Sequence, residues 1–288
     1  MTILHDPQCT EYGSSMRPEQ PARVLLSAKH LRETHPAWHW QVPAAAPEPL
    51  VLQAHTPGLL LRIGHGPDID GDTPHFPGIR EHALRAAGAG LAAAKIAVQG
   101  EKAFSLMRPP GHHATRSQAM GFCYLNSVAI AALQLTADGH RVAVWDFDAH
   151  HGNGTEDILR GRPHTFFASV HQYPGYPGTG TSSVGNIANF PVAPQTPRET
   201  HLAELARSWE AVLAFRPDVV LVSAGFDAYA RDPITSMTLE AEDFAELGRW
   251  LGQFNRPCAA LLEGGYSPDL PLLIDAFLTA WENEPRHS

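Results

Sequence analysis

Short apolar runs alternate with longer segments of helical period along most of the chain. Runs at 103–107, 142–147, 165–170, 219–223 and 259–262 are almost continuously apolar and rich in Val, Ala, Leu and Phe, as strands buried on both faces must be. Between them, 79–98, 125–137, 199–215 and 240–254 carry apolar residues three and four apart. The third is the clearest, with Leu202, Leu205, Ala206, Trp209, Val212 and Leu213 on one stripe. Strands alternating with helices predict an α/β fold, a mostly parallel central sheet with helices on both faces. No internal repeat or low-complexity linker divides the chain, and the Pro/Ala-rich stretch 42–50 lies too early to separate two folding units, so residues 1–288 read as a single catalytic domain.

Each apolar run ends in a polar or glycine-rich cluster. In chain order these are Arg108-Pro-Pro-Gly-His-His113, Asp146-Phe-Asp-Ala-His-His151, His171, Gly225-Phe-Asp227 and Glu263-Gly-Gly-Tyr266. In a parallel sheet the carboxyl ends of the strands share one edge, where ligands bind. Asp148 and His150, two residues apart on a chain just leaving a strand, point the same way, and Asp227 is the natural third ligand for one divalent ion. Three protein ligands leave a position open for water or substrate, the mark of a catalytic rather than a structural ion. Such an O/N donor set takes zinc and could also accept Fe(II), Co or Mn, so the spacing does not fix the metal. His112 and His113 supply acid/base groups that titrate near neutrality, with Asp146 and Asn153 as acceptors to fix their tautomers. The Tyr266 hydroxyl, after two glycines, is a donor for a developing oxyanion.

Composition removes alternatives. The 288 residues carry a formal charge of −9 with no basic run, so a phosphate-tracking nucleic-acid binder is excluded. The three cysteines are far apart and form no CxxC pair, which suggests neither a disulfide framework nor a thiolate zinc site. The N-terminus lacks the regions of a signal peptide, no spanning segment is evident, and the expected compartment is cytoplasmic. From Pro163 to Pro197 there is no charged side chain, and repeated Gly and Pro predict one or more long uncharged loops in that stretch.

These residues closely resemble the zinc-dependent histone deacetylase family, which includes acetylpolyamine amidohydrolases and acetoin-utilisation proteins. The resemblance runs from Met16-Arg-Pro-Glu-Gln-Pro-Ala-Arg23 to Glu263-Gly-Gly-Tyr266. It includes Arg108–Ala114, Gly121-Phe-Cys123, Asp146–Gly154, Tyr176-Pro-Gly-Thr-Gly180 and Ser223-Ala-Gly-Phe-Asp227, in forms similar to the class II branch. It implies an arginase-like α/β domain that hydrolyses the amide of an acylated lysine or other acylated amine. By position, Asp148, His150 and Asp227 would hold zinc, His112 and His113 would be the acid/base pair, and Tyr266 would stabilise the tetrahedral intermediate. Gly121, Phe122 and Tyr176, with Gly265 and Ile234, would bind the substrate chain, and Asp72 would receive its backbone amides at the rim. Arg23 matches an arginine of the product-release region. Asp146, Asp148, His150 and Ser169 match a structural monovalent-cation site, consistent with potassium.

Two positions depart from relatives of other specificity. Asn153 gives His113 a neutral partner, as in class II members, and Ile234 stands about where some polyamine-specific members carry a glutamate, so it offers no anion to a secondary ammonium. An acetylpolyamine or small-amide amidohydrolase therefore stands as the alternative within the family. A binuclear arginase-type hydrolase, which would want a second set of bridging carboxylates, and a non-catalytic acyl-amine binding protein are the alternatives outside it. Whether the chain forms a homo-oligomer is not written in these motifs.

Overall fold

The computed structural model describes residues 1–284. Eight strands form one sheet in which every pairing is parallel: β1 (Thr2–Leu4), β2 (His39–Gln41), β3 (Ala103–Ser105), β4 (Val142–Asp146), β5 (Thr165–Gln172), β6 (Ile187–Val192), β7 (Val219–Ala224) and β8 (Cys258–Leu262). Their spatial order is β2-β1-β3-β8-β7-β4-β5-β6. The helices are α1 (Ala22–Thr34), α2 (Glu48–Ala54), α3 (Pro57–Gly64), α4 (Ile79–Val98), α5 (Ser127–Ala137), α6 (Asn153–Leu159), α7 (Arg198–Ala214), α8 (Ala241–Gln253) and α9 (Leu270–Asn283). None of them is long and apolar enough to cross a membrane.

β4, β7 and β8 are buried at every position, which is why their sequences are continuous apolar runs rather than alternating ones. From β4, Trp145 reaches the helical layer on one face, its Nε1 donating to Ser208 Oγ of α7 at 2.9 Å and its ring meeting Trp209 of α7 and Trp250 of α8. α4 and α5 pack on β3, β4 and β8. Gly88 of α4 lies so close to Ala44 that a methyl group there would overlap the Ala44 carbonyl. The stretch 42–50 is therefore a strap over α4.

In the uncharged segment 163–197 the expected run at 165–170 is β5, the departure from the expected loops is the edge strand β6, and the loop between them is the stretch 173–186. Pro191 inside β6 is tolerated because an edge strand pairs on one side only. Because the whole sheet is parallel, the ends of β3, β4, β5, β7 and β8 meet on one edge.

Candidate active site

The chain leaving β4 is held by its own carboxylates. Asp146 Oδ1 accepts from the Asp148 N–H at 3.1 Å and Asp148 Oδ1 from the His150 N–H at 2.8 Å. Asp227, three residues after β7, accepts the Ala149 N–H through Oδ1 at 2.8 Å. These bonds turn one oxygen of Asp148, one of Asp227 and His150 Nδ1 toward a common point, their ligand atoms within 4.8 Å of one another. His150 Nδ1 lies 3.1 Å from Asp148 Oδ1 and 2.9 Å from Asp227 Oδ2. Donor atoms bound at about 2.1 Å around a tetrahedral ion stand about 3.4 Å apart, so a small relaxation admits a divalent ion.

The charge balance of the cluster calls for a cation. Burial and then the Asp148 charge push the Asp227 carboxyl above its ordinary range. Burial alone would lower His150, but the Asp227 and Asp148 carboxylates overcome it and hold a proton there. A divalent ion would take that proton's place. Two glycines leave the space for these ligands: a methyl group on Gly225 or Gly264 would run into Asp148 Oδ2.

The Pro-Pro-Gly turn after β3 delivers two histidines to the same centre, ring centroids 4.1 Å apart. His112 Nδ1 donates to Asp146 Oδ2 at 3.0 Å, and His113 Nδ1 to Asn153 Oδ1 at 2.8 Å. The two are driven apart electrostatically. Burial would lower both; Asp148 and Asp146 reverse this for His112 and push it up to about 10. His113, with an amide partner, is held well below 6.5 by burial and then by the positive charges of His112 and His150.

A cavity of about 280 Å³ opens on this centre, lined by Pro18, Asp72, His113, Gly121, Phe122, His150, Tyr176, Ile234 and Tyr266. Phe122 holds a left-handed backbone, φ 66°, next to Gly121 at φ 55°. A methyl group on Gly121 would lie 2.6 Å from His113 Cδ2 and 2.9 Å from the Tyr176 ring, so only glycine lets the wall come this close. His113 and Tyr176 meet edge to face at 5.1 Å, and Phe122 stands 5.7 Å from Tyr266.

Among the expected substrate-binding residues, Gly121, Phe122, Tyr176, Asp72 and Ile234 share this wall. Gly265 does not: at φ 114° it backs Tyr266, and its carbonyl accepts Arg23 Nε at 2.7 Å. Ser169 lies opposite Asp146 in the parallel register, where its Oγ meets His171 Nδ1 at 2.9 Å. Arg23 also donates to the Glu263 carbonyl at 2.5 Å, and its guanidinium lies 4.7 Å over the Tyr266 ring.

Several residues outside the expected set support the site. Glu263 Oε2 accepts the Gly111 and His112 N–H groups at 2.7 and 3.1 Å, fixing the histidine turn, and burial pushes its carboxyl up to about 7. Arg108 is fully buried and pairs through two nitrogens with Glu19, at 2.5 and 2.7 Å. Asp232 accepts the Tyr266 N–H at 2.8 Å. Glu263 and Asp232 are visible in the sequence as acids within or near the strand-end clusters, but nothing there tells a carboxylate that meets substrate from one that holds a turn.

The histone deacetylase domain model matches residues 17–279. A probable deacetylase of Archaeoglobus fulgidus is 35% identical, covering 92% of this chain and 80% of its own. The acetylpolyamine amidohydrolase of Mycoplana ramosa is 36% identical over 70% of this chain and 63% of its own. Among solved structures, the acetylpolyamine aminohydrolase of Burkholderia pseudomallei superposes with a TM-score of 0.90 at 25% identity, covering 98% of this chain and 99% of that one.

Proposed function

The chain belongs to the histone deacetylase family, and from that premise we propose that it is a metal-dependent deacylase that releases a short carboxylate from an acylated lysine or other acylated amine. The observation that carries this reading is the three-ligand cluster of Asp148, His150 and Asp227 at the floor of a narrow cavity whose wall includes His113 and Tyr266. Zinc suits the two carboxylates and one imidazole; when bound it supplies Lewis-acid polarisation of the acyl carbonyl and lowers the pKa of water.

The chain's own groups divide the remaining work. His113, kept neutral with its Nδ1–H donated to Asn153, presents a bare Nε2 that takes the proton of the attacking water and passes it to the leaving amine. His112, kept protonated by Asp146 and Asp148, supplies fixed positive charge beside the reacting carbonyl. Tyr266 donates its hydroxyl to the oxygen on which charge develops. Phe122 and Tyr176 enclose the methylene stem, worth about 0.8 kcal/mol per buried CH₂. Asp72, exposed at the mouth, accepts from amide or ammonium donors of the substrate. Ser169 with the backbone at 146–150 would hold a monovalent ion such as potassium that stiffens the metal loop.

Among the described residues the Asp148 cluster is the single group of three such ligands, which favours this reading over a binuclear arginase-type hydrolase. The test is release of free amine from acyl-lysine peptides and acetylated polyamines by the zinc-loaded protein and by its Tyr266→Phe and His113→Ala variants. Turnover by the parent that falls at least about 100-fold in each variant supports the assignment. A parent that hydrolyses no substrate while both variants bind ligand equally well makes the protein a binding module instead.

A further inference from the structure

Tyr266 stands two residues beyond Gly264, the last backbone position that Asp148 and Phe226 hold. It follows Gly264 and Gly265, the latter at φ 114°, so the local backbone has more freedom than any other residue pair would give it. Arg23 holds this segment from one side through the carbonyls of Glu263 and Gly265. Gly264 is held by its N–H, which donates to Asp148 Oδ2 at 2.7 Å, and by its carbonyl, which accepts the Phe226 N–H at 3.1 Å, whereas the Tyr266 N–H is held by one carboxylate, on the loop between β7 and α8. Asp232 is 7% exposed; its Oδ2 accepts the Tyr266 N–H at 2.8 Å and its Oδ1 accepts the Ile234 N–H at 3.0 Å. Its own N–H donates to the Tyr229 carbonyl at 2.9 Å, which anchors the side chain's base.

This single carboxylate therefore joins two segments 34 residues apart, one ending in the phenol over the metal centre and the other carrying Ile234 at the cavity mouth. Without it, the Tyr266 N–H would be left without that acceptor in a largely buried setting, and the glycine pair would let the segment turn to find another. We propose that Asp232 is a positioning residue for the reaction, setting the Tyr266 hydroxyl at the acyl carbonyl by clamping the Tyr266 and Ile234 backbones together. This rests on the deacylase reading given above for Tyr266. A misplacement of about 1 Å at such a donor costs up to about 100-fold in rate, so the loss is in kcat, with KM changed little.

The experiment compares the zinc-loaded parent with Asp232→Asn, Asp232→Ala and Tyr266→Phe, and with the double variant Asp232→Asn/Tyr266→Phe. Asn keeps the volume and one acceptor, so it serves where the Ala variant fails to fold. Expected are a kcat about 10-fold lower in Asp232→Asn and about 100-fold lower in Asp232→Ala. Zinc content stays unchanged, and the Asn substitution changes the rate of the Tyr266→Phe protein less than about twofold, because its effect passes through the missing hydroxyl. Amide hydrogen exchange at positions 234 and 266 rises about 10-fold or more while the rest of the chain keeps its protection. An equal fold-loss with and without the Tyr266 hydroxyl overturns the proposal, since a merely structural role acts alike on both backgrounds. If the parent itself proves inactive, the deacylase reading fails separately, and unchanged exchange at 234 and 266 then overturns the clamp.

Discussion

Changing Asn153 to Asp tests the electrostatic asymmetry of the histidine pair. Asn153 Oδ1 receives the His113 Nδ1–H at 2.8 Å, and the substitution puts a negative charge there with almost no change in shape. The centres of the new carboxylate and the imidazolium would lie about 4 Å apart, where two unit charges interact by about 4 kcal/mol at an effective dielectric constant of about 20. That is a ceiling of about 3 pH units, and the partial burial of the new carboxylate reduces it to about 1 to 2 units. The sign is upward, because the charged form of His113 gains a partner. A base must be neutral to work, so the acid limb of the kcat/KM profile moves to higher pH by that amount, measured with one acylated amine between about pH 5 and 9. An acid limb at its original position, in a variant that retains its ion and its fold, would refute the assignment of His113 as the group whose proton uptake limits the rate.

Three further outcomes are expected from the packing. Gly225→Ala pushes a methyl group into Asp148 Oδ2, so the purified variant should retain less than one ion per chain by elemental analysis while its circular dichroism stays native. Glu19→Ala leaves the fully buried Arg108 guanidinium unpaired, at a cost of about 3–5 kcal/mol in urea unfolding; a change below about 1 kcal/mol would show the pair to be dispensable. Burial holds His55 and His201 down to about 4, below the roughly 6.5 of the unfolded chain, so both stay neutral in the fold. The stability they permit is present at neutral pH and is lost as pH falls from about 6.5 toward about 4. His201→Leu, which removes a buried Nδ1 without a partner, should flatten that dependence, and equal pH slopes in parent and variant would count against it.

What the sequence discloses depends on how much pattern each element has room to display. α4 lies at 79–98 as its apolar spacing indicates, and β4, β7 and β8 fall within a residue of their apolar runs, because full burial leaves no polar position to confuse the reading. β1 and β2 have three residues each, too few for any periodicity, and acquire their identity from pairing with each other and with β3. β6 is hidden by Pro191 and by an uncharged setting that resembles a loop, and its place at the sheet edge is a tertiary fact. α9 is different: Leu270, Leu273, Ile274, Phe277, Leu278 and Trp281 recur at helical spacing, a pattern the chain displays openly.

The site divides in the same way. Asp148, His150 and Asp227 are recoverable because each comes after a legible strand and a parallel sheet gathers such ends. The wall of the cavity is not legible from spacing alone: Asp72, Tyr176 and Ile234 are reached only through the family resemblance, and Pro18 not at all, because all four lie on connecting segments whose course depends on contacts distant in sequence. The hydrogen-bonding carboxylates Glu19, Asp232 and Glu263 have the composition of ligands and the placement of supports. Distances such as the 2.8 Å from Tyr266 N to Asp232 distinguish the two.

The measurement that bears most directly on the central claim is a titration of ion-free protein with zinc, monitoring acetate release from an acetyl-lysine peptide or an acetylated polyamine. Turnover should rise linearly and level off at one equivalent per chain, and Asp227→Ala should show no such rise at the same concentrations. Activity that requires a second equivalent, or that is fully present before any ion is added to verified ion-free protein, would contradict a single ion held by Asp148, His150 and Asp227.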